Sequence, residues 1–367
     1  MLSFLNPAVR RDAEYRGLFE DHEYQLVEAF YDARRDLLPT PLLPLPGLAK
    51  RLSIGSLLIK DETARFGLEA FKIAGARYAV ESLDPASLTS GVVCATAGNH
   101  GRAVARAARD LRVRCTVFVP AAPLHAAELD RQTRSSRIAG MRADGAGTID
   151  VAGSYEDAVA QATDYARQTG ATMVSDTSMD PGDRIARLIM AGYTRLFAEA
   201  GRQWDAVPDV VLIQGGVGGL VCAAANWCAA RVGARRPFLI ACEPDSAACL
   251  LESARAGRVV PLDRETPMAT PTMMAGLRCA VPSAAAWPSV HRGVDAFVSI
   301  PDAIVLTAMD ALRCPEGSDP ALATGPSGAC GAGALLALAA APEMAALRAA
   351  CGLSRSTRAM VVATEGP

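Results

Sequence analysis

Lysine and histidine are both scarce in this chain of 367 residues. Lysine occurs only at positions 50, 60 and 72, although lysine and arginine together number 37, and there are only four histidines. So few scattered histidines argue against a zinc site, which needs several histidine or cysteine ligands close together. Cationic and acidic residues nearly balance, giving a formal net charge of −2. This balance provides no electrostatic case for binding nucleic acid or an acidic membrane surface.

Long apolar segments and paired cysteines are also missing. The ten cysteines contain no CxxC pair, which favours reduced thiols packed as small apolar residues. The longest glycine- and alanine-rich apolar runs are too short to span a bilayer. The N-terminal stretch becomes charged before a signal-peptide core is complete. These features predict a cytoplasmic protein without membrane segments or a bound metal.

The scarcity of lysine makes Lys72 unusual, because it lies in the apolar stretch FGLEAFKIAGARYAV. Helical spacing places Phe71, Ala74, Gly75 and Tyr78 on or near one packing face. Arginine supplies the positive charge almost everywhere else, so a lysine here suggests a need for a primary amine, which arginine cannot provide. The alternative is a surface lysine whose stem packs on the protein while its amine reaches water.

Strand and helix patterns alternate through most of the chain. Short apolar strands are separated by helices, as in GVVCATAG, RCTVFVP, ATMVSD, DVVLIQG and PFLIACE. This alternation predicts an α/β fold in which helices cover both faces of parallel sheets. We expect two open parallel-sheet domains. A small domain, residues 84–190, is inserted into a large one made of residues 1–83 and 191–367.

A run of glycines, Gly215 to Gly219, follows the strand DVVLIQ. A helix is predicted to begin there, and free N–H groups at such a turn bind phosphate. A dinucleotide-binding fingerprint is a second interpretation, in which Val221 stands where the third glycine belongs and Glu243 imitates the ribose-binding acid. A plain strand-to-helix turn is the third.

An earlier strand ends in a similar turn, ATAGNHGRAVA. Its Thr96, Gly98, Asn99 and His100 offer hydroxyl, amide and helix-start N–H groups that suit a carboxylate. Asparagine and glycine are also ordinary helix-capping residues. Taken together, a lysine amine, a phosphate cup and a carboxylate-binding turn are what pyridoxal phosphate chemistry on an amino acid requires.

Several motifs occur in the order found in fold-type II pyridoxal-phosphate enzymes: FGLEAFKIAGA, TAGNHGRAVA, SDTS, QGGVGGL, CEPDSAACLLES, PTMMAGLRC, GPSGACGAGALL and ATEG. The chain most resembles the diaminopropionate ammonia-lyases and, more distantly, the threonine and serine dehydratases. The resemblance extends from about Pro39 onward. It implies the tryptophan synthase β-like architecture, pyridoxal 5′-phosphate as cofactor, an amino acid substrate and a homodimer.

The resemblance also assigns roles to individual residues. It puts the Schiff base on Lys72, an acid/base role on Asp176 and packing against the cofactor ring on Phe71. Asn99 corresponds to the residue that bonds the cofactor's 3-hydroxyl, and Thr364 to the hydroxyl at the pyridine nitrogen. The phosphate cup corresponds to Gly215, Gly216, Val217, Gly218 and Gly219. The substrate turn corresponds to Thr96, Ala97, Gly98 and His100.

Two departures from the lyase pattern change what is expected. Ala97 stands where TDGNHG in the pattern has an aspartate, and Pro326 stands where GESGA has a glutamate. In that pattern two aspartates lie on opposite sides of the substrate α-carbon. Retaining Asp176 alone therefore predicts activity on an L-amino acid. From the residues alone, Asp176 is better explained as a loop or N-cap aspartate before the helix at Arg184.

The expected reaction is β-elimination of a β-substituted L-amino acid through aminoacrylate, giving a 2-oxo acid and ammonia. Attack of a nucleophile on the same aminoacrylate would instead make the protein a β-replacement synthase, which shares every residue named so far. The two missing acids also leave open a pyridoxal-phosphate-binding protein without turnover. The dinucleotide interpretation implies a nicotinamide enzyme.

Overall fold

The computed structural model describes residues 1–12, 15–96, 98–121, 128–262 and 272–367, and the side chains at 128–130 and 133 lie outside this description. Within these residues the strands are β1 Leu2–Leu5, β2 Leu42–Pro44, β3 Ser56–Asp61, β4 Val92–Ala95, β5 Cys115–Pro120, β6 Gly147–Val151, β7 Thr172–Met173, β8 Val210–Gln214, β9 Phe238–Pro244, β10 Ala296–Ile300 and β11 Arg358–Ala363. The helices are α1 Asp21–Asp32, α2 Pro46–Arg51, α3 Lys72–Glu81, α4 Asn99–Asp110, α5 Glu128–Ala143, α6 Tyr155–Thr169, α7 Arg184–Gln203, α8 Gly219–Arg231, α9 Cys249–Ala256, α10 Trp287–Gly293, α11 Asp302–Arg313, α12 Pro326–Ala340 and α13 Ala345–Ala350.

The chain divides into two compact units. The first unit comprises Met1–Phe71, Met179–Pro181 and Tyr193–Pro367, and the second comprises Lys72–Ser178 and Gly182–Gly192. The second unit therefore begins at α3, earlier than the predicted residue 84, because α3 packs against α4. Lys72 is the first residue of that unit.

The first unit contains a seven-stranded sheet with the order β1-β10-β9-β8-β11-β3-β2. Its five inner strands are parallel, as predicted. The two edge strands, β1 and β2, were not predicted, and each is antiparallel to its neighbour. The last strand of the chain, β11, lies between β3 and β8. Since parallel strands end at the same edge of a sheet, the segments after β8 and β11 begin side by side.

Helix α12 supplies much of the core beneath this sheet. Its sequence, PSGACGAGALLALAA, is apolar on every face, which is typical of a fully buried helix. Small residues allow close approach: a Cβ on Gly331 would lie 3.2 Å from the carbonyl oxygen of Leu212 in β8. The helix therefore packs directly on the strand that carries the glycine run.

The second unit contains a four-stranded parallel sheet with the order β6-β5-β4-β7. The predicted strand ATMVSD shortens to Thr172–Met173, although the N–H of Val174 still donates to the carbonyl oxygen of Val93. Its apolar core lies between the sheet and α6. Asp176 follows β7, and the GNH turn follows β4, its direct neighbour in the sheet.

All ten cysteines are free thiols and seven of them are buried, as predicted. In the part of the chain that the structure describes, no single helix is long and apolar enough to cross a membrane. One pair of helices, Pro326–Ala340 and Pro342–Ala350, is long and apolar enough when taken together, but the two helices meet at a sharp bend.

Candidate active site

Lys72 is the first residue of α3, and its amine contacts a carboxylate. The helix residues that follow it, Ile73 to Val80, are all buried, so the start of the helix is held rigidly by packing. The Nζ atom of Lys72 lies 2.5 Å from Oδ2 of Asp176, and the two side chains are 22 % and 15 % exposed. The amine of Lys72 therefore does not extend into water as that of a surface lysine would, because it is bound to a carboxylate that is mostly buried.

Asp176 does not cap the following helix. That role belongs to Asp183, whose Oδ1 accepts the N–H groups of Ile185 and Ala186, each at 2.9 Å. Burial on its own raises the pKa of Asp176, but electrostatic interaction with His100 and with the Lys72 amine lowers it, and the net pKa lies well below the ordinary value. Asp176 is therefore a carboxylate near neutral pH, an anionic oxygen acceptor placed beside the Lys72 amine.

The turn after β4 brings together the other residues predicted in this unit. The hydroxyl oxygen of Thr96 accepts the N–H of Gly98 at 2.9 Å, and Gly98 is the N-cap of α4, so Asn99 is its first helical residue. The N–H groups at such a helix start point outward and suit an anion. Ala97, also predicted here, lies outside the described residues.

His100 contributes its imidazole as well as its backbone N–H at the start of α4. The imidazole is 6 % exposed. Its Nε2 lies 3.0 Å from the carbonyl oxygen of Val174, and its Nδ1 lies 3.8 Å from Oδ2 of Asp176. A histidine immediately after GN in the sequence gives no sign of this orientation, which depends on the pairing of β4 with β7.

The glycine run after β8 forms an anion cradle. Gly216 has φ +60° and Gly218 has φ +97°, the left-handed backbone that favours glycine. The N–H of Gly215 donates to the carbonyl oxygen of Cys242, and the N–H of Gly218 donates to the carbonyl oxygen of Gly215. Within the described residues, the N–H groups of Gly216, Val217 and Gly219 donate to no protein acceptor. These N–H groups at the start of α8 fit a phosphate.

The dinucleotide interpretation is not supported at Glu243. This side chain is fully buried, and its two carboxylate oxygens accept the N–H groups of Leu250 and Leu251 at 2.8 and 2.9 Å. Burial raises the pKa of Glu243 to about 8. A Cβ on Gly215 would lie 2.6 Å from Cγ of Glu243. Glu243 therefore caps α9 and packs under the glycine cradle, where it cannot reach a ribose.

Thr364 follows β11, the neighbour of β8. It is 4 % exposed, and its hydroxyl has no hydrogen-bond partner among the described residues. Its carbonyl oxygen accepts the N–H of Phe71 at 3.1 Å, and the Phe71 ring packs on Tyr193 with 4.8 Å between ring centroids. A hydroxyl on a buried residue that is free to donate or accept fits a polar ring atom of a ligand.

Three residues without predicted roles form a hydrogen-bonded chain that reaches the cradle through Gly276. The hydroxyl of Ser327 accepts the N–H of Gly276 at 3.0 Å, and the N–H of Ser327 donates to the Glu365 carboxylate at 3.2 Å. A Cβ on Gly216 would lie 3.7 Å from the carbonyl oxygen of Gly276. Their motifs, MAGL, GPSGA and ATEG, are far apart in sequence, so spacing along the chain gives no sign of these contacts.

The predicted site residues thus form two groups, one in each unit. Lys72, Asp176 and the GNH turn lie in the second unit. The glycine cradle, Phe71 and Thr364 lie in the first. The first group provides an amine and an anionic proton acceptor, and the second provides a phosphate cradle and a buried hydroxyl. These features fit pyridoxal phosphate, which carries an aldehyde, a phosphate and a pyridine nitrogen.

Comparison with known proteins agrees with this chemistry. A family model described as pyridoxal-phosphate dependent enzyme matches residues 34–353. The diaminopropionate ammonia-lyase of Escherichia coli strain K12 is 30 % identical over 376 residues, which cover 97 % of this chain and 91 % of that protein. An E. coli diaminopropionate ammonia-lyase structure in complex with an aminoacrylate–PLP azomethine reaction intermediate is 30 % identical, with a TM-score of 0.85 and coverage of 99 % and 93 %. Another structure of that E. coli lyase, in complex with D-serine, is 29 % identical, with a TM-score of 0.84 and the same coverage.

Proposed function

Because the chain belongs to the family of pyridoxal-phosphate-dependent enzymes and has the fold-type II architecture, we propose that it carries out β-elimination on L-2,3-diaminopropionate. The products are pyruvate and ammonia. The observation that carries the proposal is the contact between Lys72 and Asp176, which places an amine and an anionic base together in a shielded position. A lyase of this type needs both groups at the carbon that loses its proton.

The residues that hold the cofactor follow from the two groups. Gly216, Val217 and Gly219 offer unused N–H groups to the phosphate, and Thr364 offers its hydroxyl to the pyridine nitrogen. Lys72 offers its amine to the aldehyde. When bound, pyridoxal phosphate supplies a carbonyl that joins an amine and a ring that accepts electrons from the substrate α-carbon. A hydroxyl at the ring nitrogen, instead of a carboxylate, favours elimination over transamination.

Asp176 and Lys72 divide the proton handling. The carboxylate stays ionised because cationic neighbours offset its burial, so it can accept the α-proton of a substrate next to it. Lys72, once its amine is neutral, is the other base within reach. Loss of the β-amino group leaves an unsaturated amine, which water converts to a 2-oxo acid with release of the second nitrogen as ammonia.

The L-configuration rests on the single retained aspartate. Asp176 is present beside Lys72, whereas Ala97 has a methyl group and no titratable proton. The related E. coli lyase was solved with D-serine, and its pattern has aspartate where this chain has Ala97. We therefore infer a preference for the L-substrate that does not extend to its mirror image.

Product analysis tests the proposal. Purified protein loaded with pyridoxal phosphate is incubated with L-2,3-diaminopropionate, and pyruvate and ammonia are measured; we expect two ammonia molecules for each pyruvate. The same reaction is repeated with added sulfide. A β-substituted amino acid formed at the expense of pyruvate would instead indicate a replacement synthase. A spectral response to the amino acid without any product would indicate a binding protein.

We also infer that the protein is a cytoplasmic homodimer. The inference rests on the resemblance to the lyases. Light scattering on the purified protein, together with fractionation of the cells that produce it, tests both statements. A monomer at micromolar concentration would contradict the first, and recovery from the membrane or the medium would contradict the second.

A further inference from the structure

Within the described residues, one ring nitrogen of His100 has a hydrogen-bond partner and the other has none. Nε2 meets the carbonyl oxygen of Val174 at 3.0 Å. Nδ1 is buried and has no hydrogen-bond partner among the residues that the structure describes, and Oδ2 of Asp176 lies 3.8 Å from it. An unsatisfied polar atom in a side chain that is only 6 % exposed is costly, so its orientation toward a carboxylate calls for a reason.

The partners fix where a proton can be on this ring. A carbonyl oxygen only accepts hydrogen bonds, so Nε2 must carry a hydrogen. Nδ1 then either presents a lone pair to the carboxylate, which is repulsive, or carries a second proton and forms an ion pair with it. A distance of 3.8 Å exceeds a hydrogen bond, and closing by roughly 1 Å would make one.

Lys72 and His100 approach the same oxygen of Asp176. At present Oδ2 is bonded to the Lys72 amine at 2.5 Å. When that amine is engaged in the reaction it ceases to be a free ammonium, and the carboxylate loses this charge. The thiol of Cys94 also lies close to Asp176, but burial raises its pKa well above the ordinary value, so it stays neutral. Among these described neighbours, only His100 can then balance the carboxylate.

We propose that His100 is a positioning residue for proton transfer at Asp176. Its imidazole, held by the bond to Val174, carries a proton on Nδ1 and becomes the cationic partner of the carboxylate when Lys72 is no longer a cation. The ring keeps Asp176 anionic and oriented throughout the reaction. The catalytic consequence rests on the proposed function. The position of the proton does not, because it concerns only groups within the protein.

The position of the proton is measurable, because the chain has only four histidines. Protein labelled with 15N-histidine gives long-range proton–nitrogen spectra that report which ring nitrogens carry hydrogen. The His100→Gln and His22→Gln variants assign the signals. At pH 7 we expect both nitrogens of His100 to be protonated in the pyridoxal-phosphate-loaded enzyme and in Lys72→Ala. In Asp176→Asn we expect hydrogen on Nε2 alone.

Two results would overturn the proposal. One is an unprotonated Nδ1 in both the loaded enzyme and Lys72→Ala. The other is an Nδ1 proton that survives Asp176→Asn, because it would then not depend on the carboxylate. Lys72→Gln provides a second variant if Lys72→Ala does not fold. None of these readouts requires turnover, so an inactive protein would count against the proposed function and leave this test intact.

Kinetics separate positioning from a merely structural role. His100→Gln can still donate to Val174 but presents no charge to Asp176, whereas His100→Asn can place an amide N–H near the position of Nδ1. Removing a positive neighbour favours the protonated acid, so the acid limb of the kcat profile should move to higher pH in His100→Gln. His100→Asn should restore part of the shift. His22→Gln, on the exposed surface of α1, is the control. An unmoved acid limb in His100→Gln would contradict the role.

Discussion

The N–H of Phe71 donates to the carbonyl oxygen of Thr364 over 3.1 Å. This bond ties the residue just before Lys72 to the segment that ends the central strand β11. The isolated bridge between Ala70 and Glu365 continues the same pairing. The segment leading to the lysine is therefore anchored by backbone bonds to the residue whose hydroxyl we assign to the cofactor ring. Substitutions of the Thr364 side chain leave this backbone bond in place.

Thr364→Val should therefore remove the hydroxyl without disturbing the anchor. The two side chains have nearly the same shape, and a single hydrogen bond contributes about 1 kcal/mol. We expect a roughly three- to tenfold loss in kcat or in cofactor affinity, with recovery in Thr364→Ser. Cofactor titration and steady-state kinetics measure it. A Thr364→Val enzyme that matches the wild type in both would show that the hydroxyl does not meet the ring.

Lys72→Ala should eliminate covalent attachment of the cofactor while the protein still folds. Borohydride treatment of the loaded wild type should fix pyridoxal phosphate to the peptide containing Lys72, as peptide mass spectrometry would show. Lys60 cannot substitute, because its amine is 1 % exposed and bound to Thr40 and Glu199. Lys50→Ala, on the exposed side of α2, is the matched control. A fixed adduct on Lys60 would show that the assignment is wrong.

Gly216→Ala should weaken cofactor binding more than it weakens the fold. An alanine at φ +60° costs roughly 1 to 2 kcal/mol of backbone strain. Gly257 has φ +67° and open space around it, so Gly257→Ala carries the same strain away from the cradle. We expect similar losses in the free energy of unfolding, but a raised Kd for pyridoxal phosphate only in Gly216→Ala, and a larger rise in Gly216→Val. Equal Kd values for both alanine variants would favour a plain turn.

Glu243 should make stability fall as pH rises. Burial raises its pKa from 4.5 to about 8, so between these values the folded state holds a proton that the unfolded chain has lost. Its contribution is complete below pH 4.5 and is lost as pH approaches 8, at roughly 1.4 kcal/mol per pH unit when fully coupled. Urea unfolding between pH 5 and 8 should show a shallower decline in Glu243→Gln. Glu316→Gln, at an exposed glutamate that does not contribute to the pKa of Glu243, should keep the wild-type slope.

Much of this site is visible in the sequence because its motifs are local. Lys72 is unusual through its apolar surroundings, and the glycine run is recognisable because a strand and a helix border it. The inner strands β4, β5, β8 and β9 are apolar runs of typical length, so their pattern is clear. The edge strand β1 has a mixed pattern and β2 is only three residues long. They depend on pairing with distant strands, which a local pattern cannot reveal.

Orientation is what local pattern could not provide. Asp176 resembles a helix cap until the pairing of β4 with β7 brings it beside Lys72 and His100. Glu243 resembles a ribose-binding acid until the start of α9 takes both of its oxygens. The surroundings of both acids depend on contacts with residues elsewhere in the chain, from seven positions away for Glu243 to 104 for Asp176. Spacing along the chain identifies the candidates, and the sheets decide what each candidate faces.

If Asp176 is the base for an L-substrate, the initial rates of ammonia release from L- and D-2,3-diaminopropionate should differ strongly. A positioned base contributes roughly two to four powers of ten in rate, so the wild type should favour the L-isomer at least about a hundredfold, and Asp176→Asn should lose most of that activity. Equal initial rates on the two isomers would show that Asp176 is not a base specific to the L-substrate, as would an Asp176→Asn enzyme with the full rate on the L-isomer.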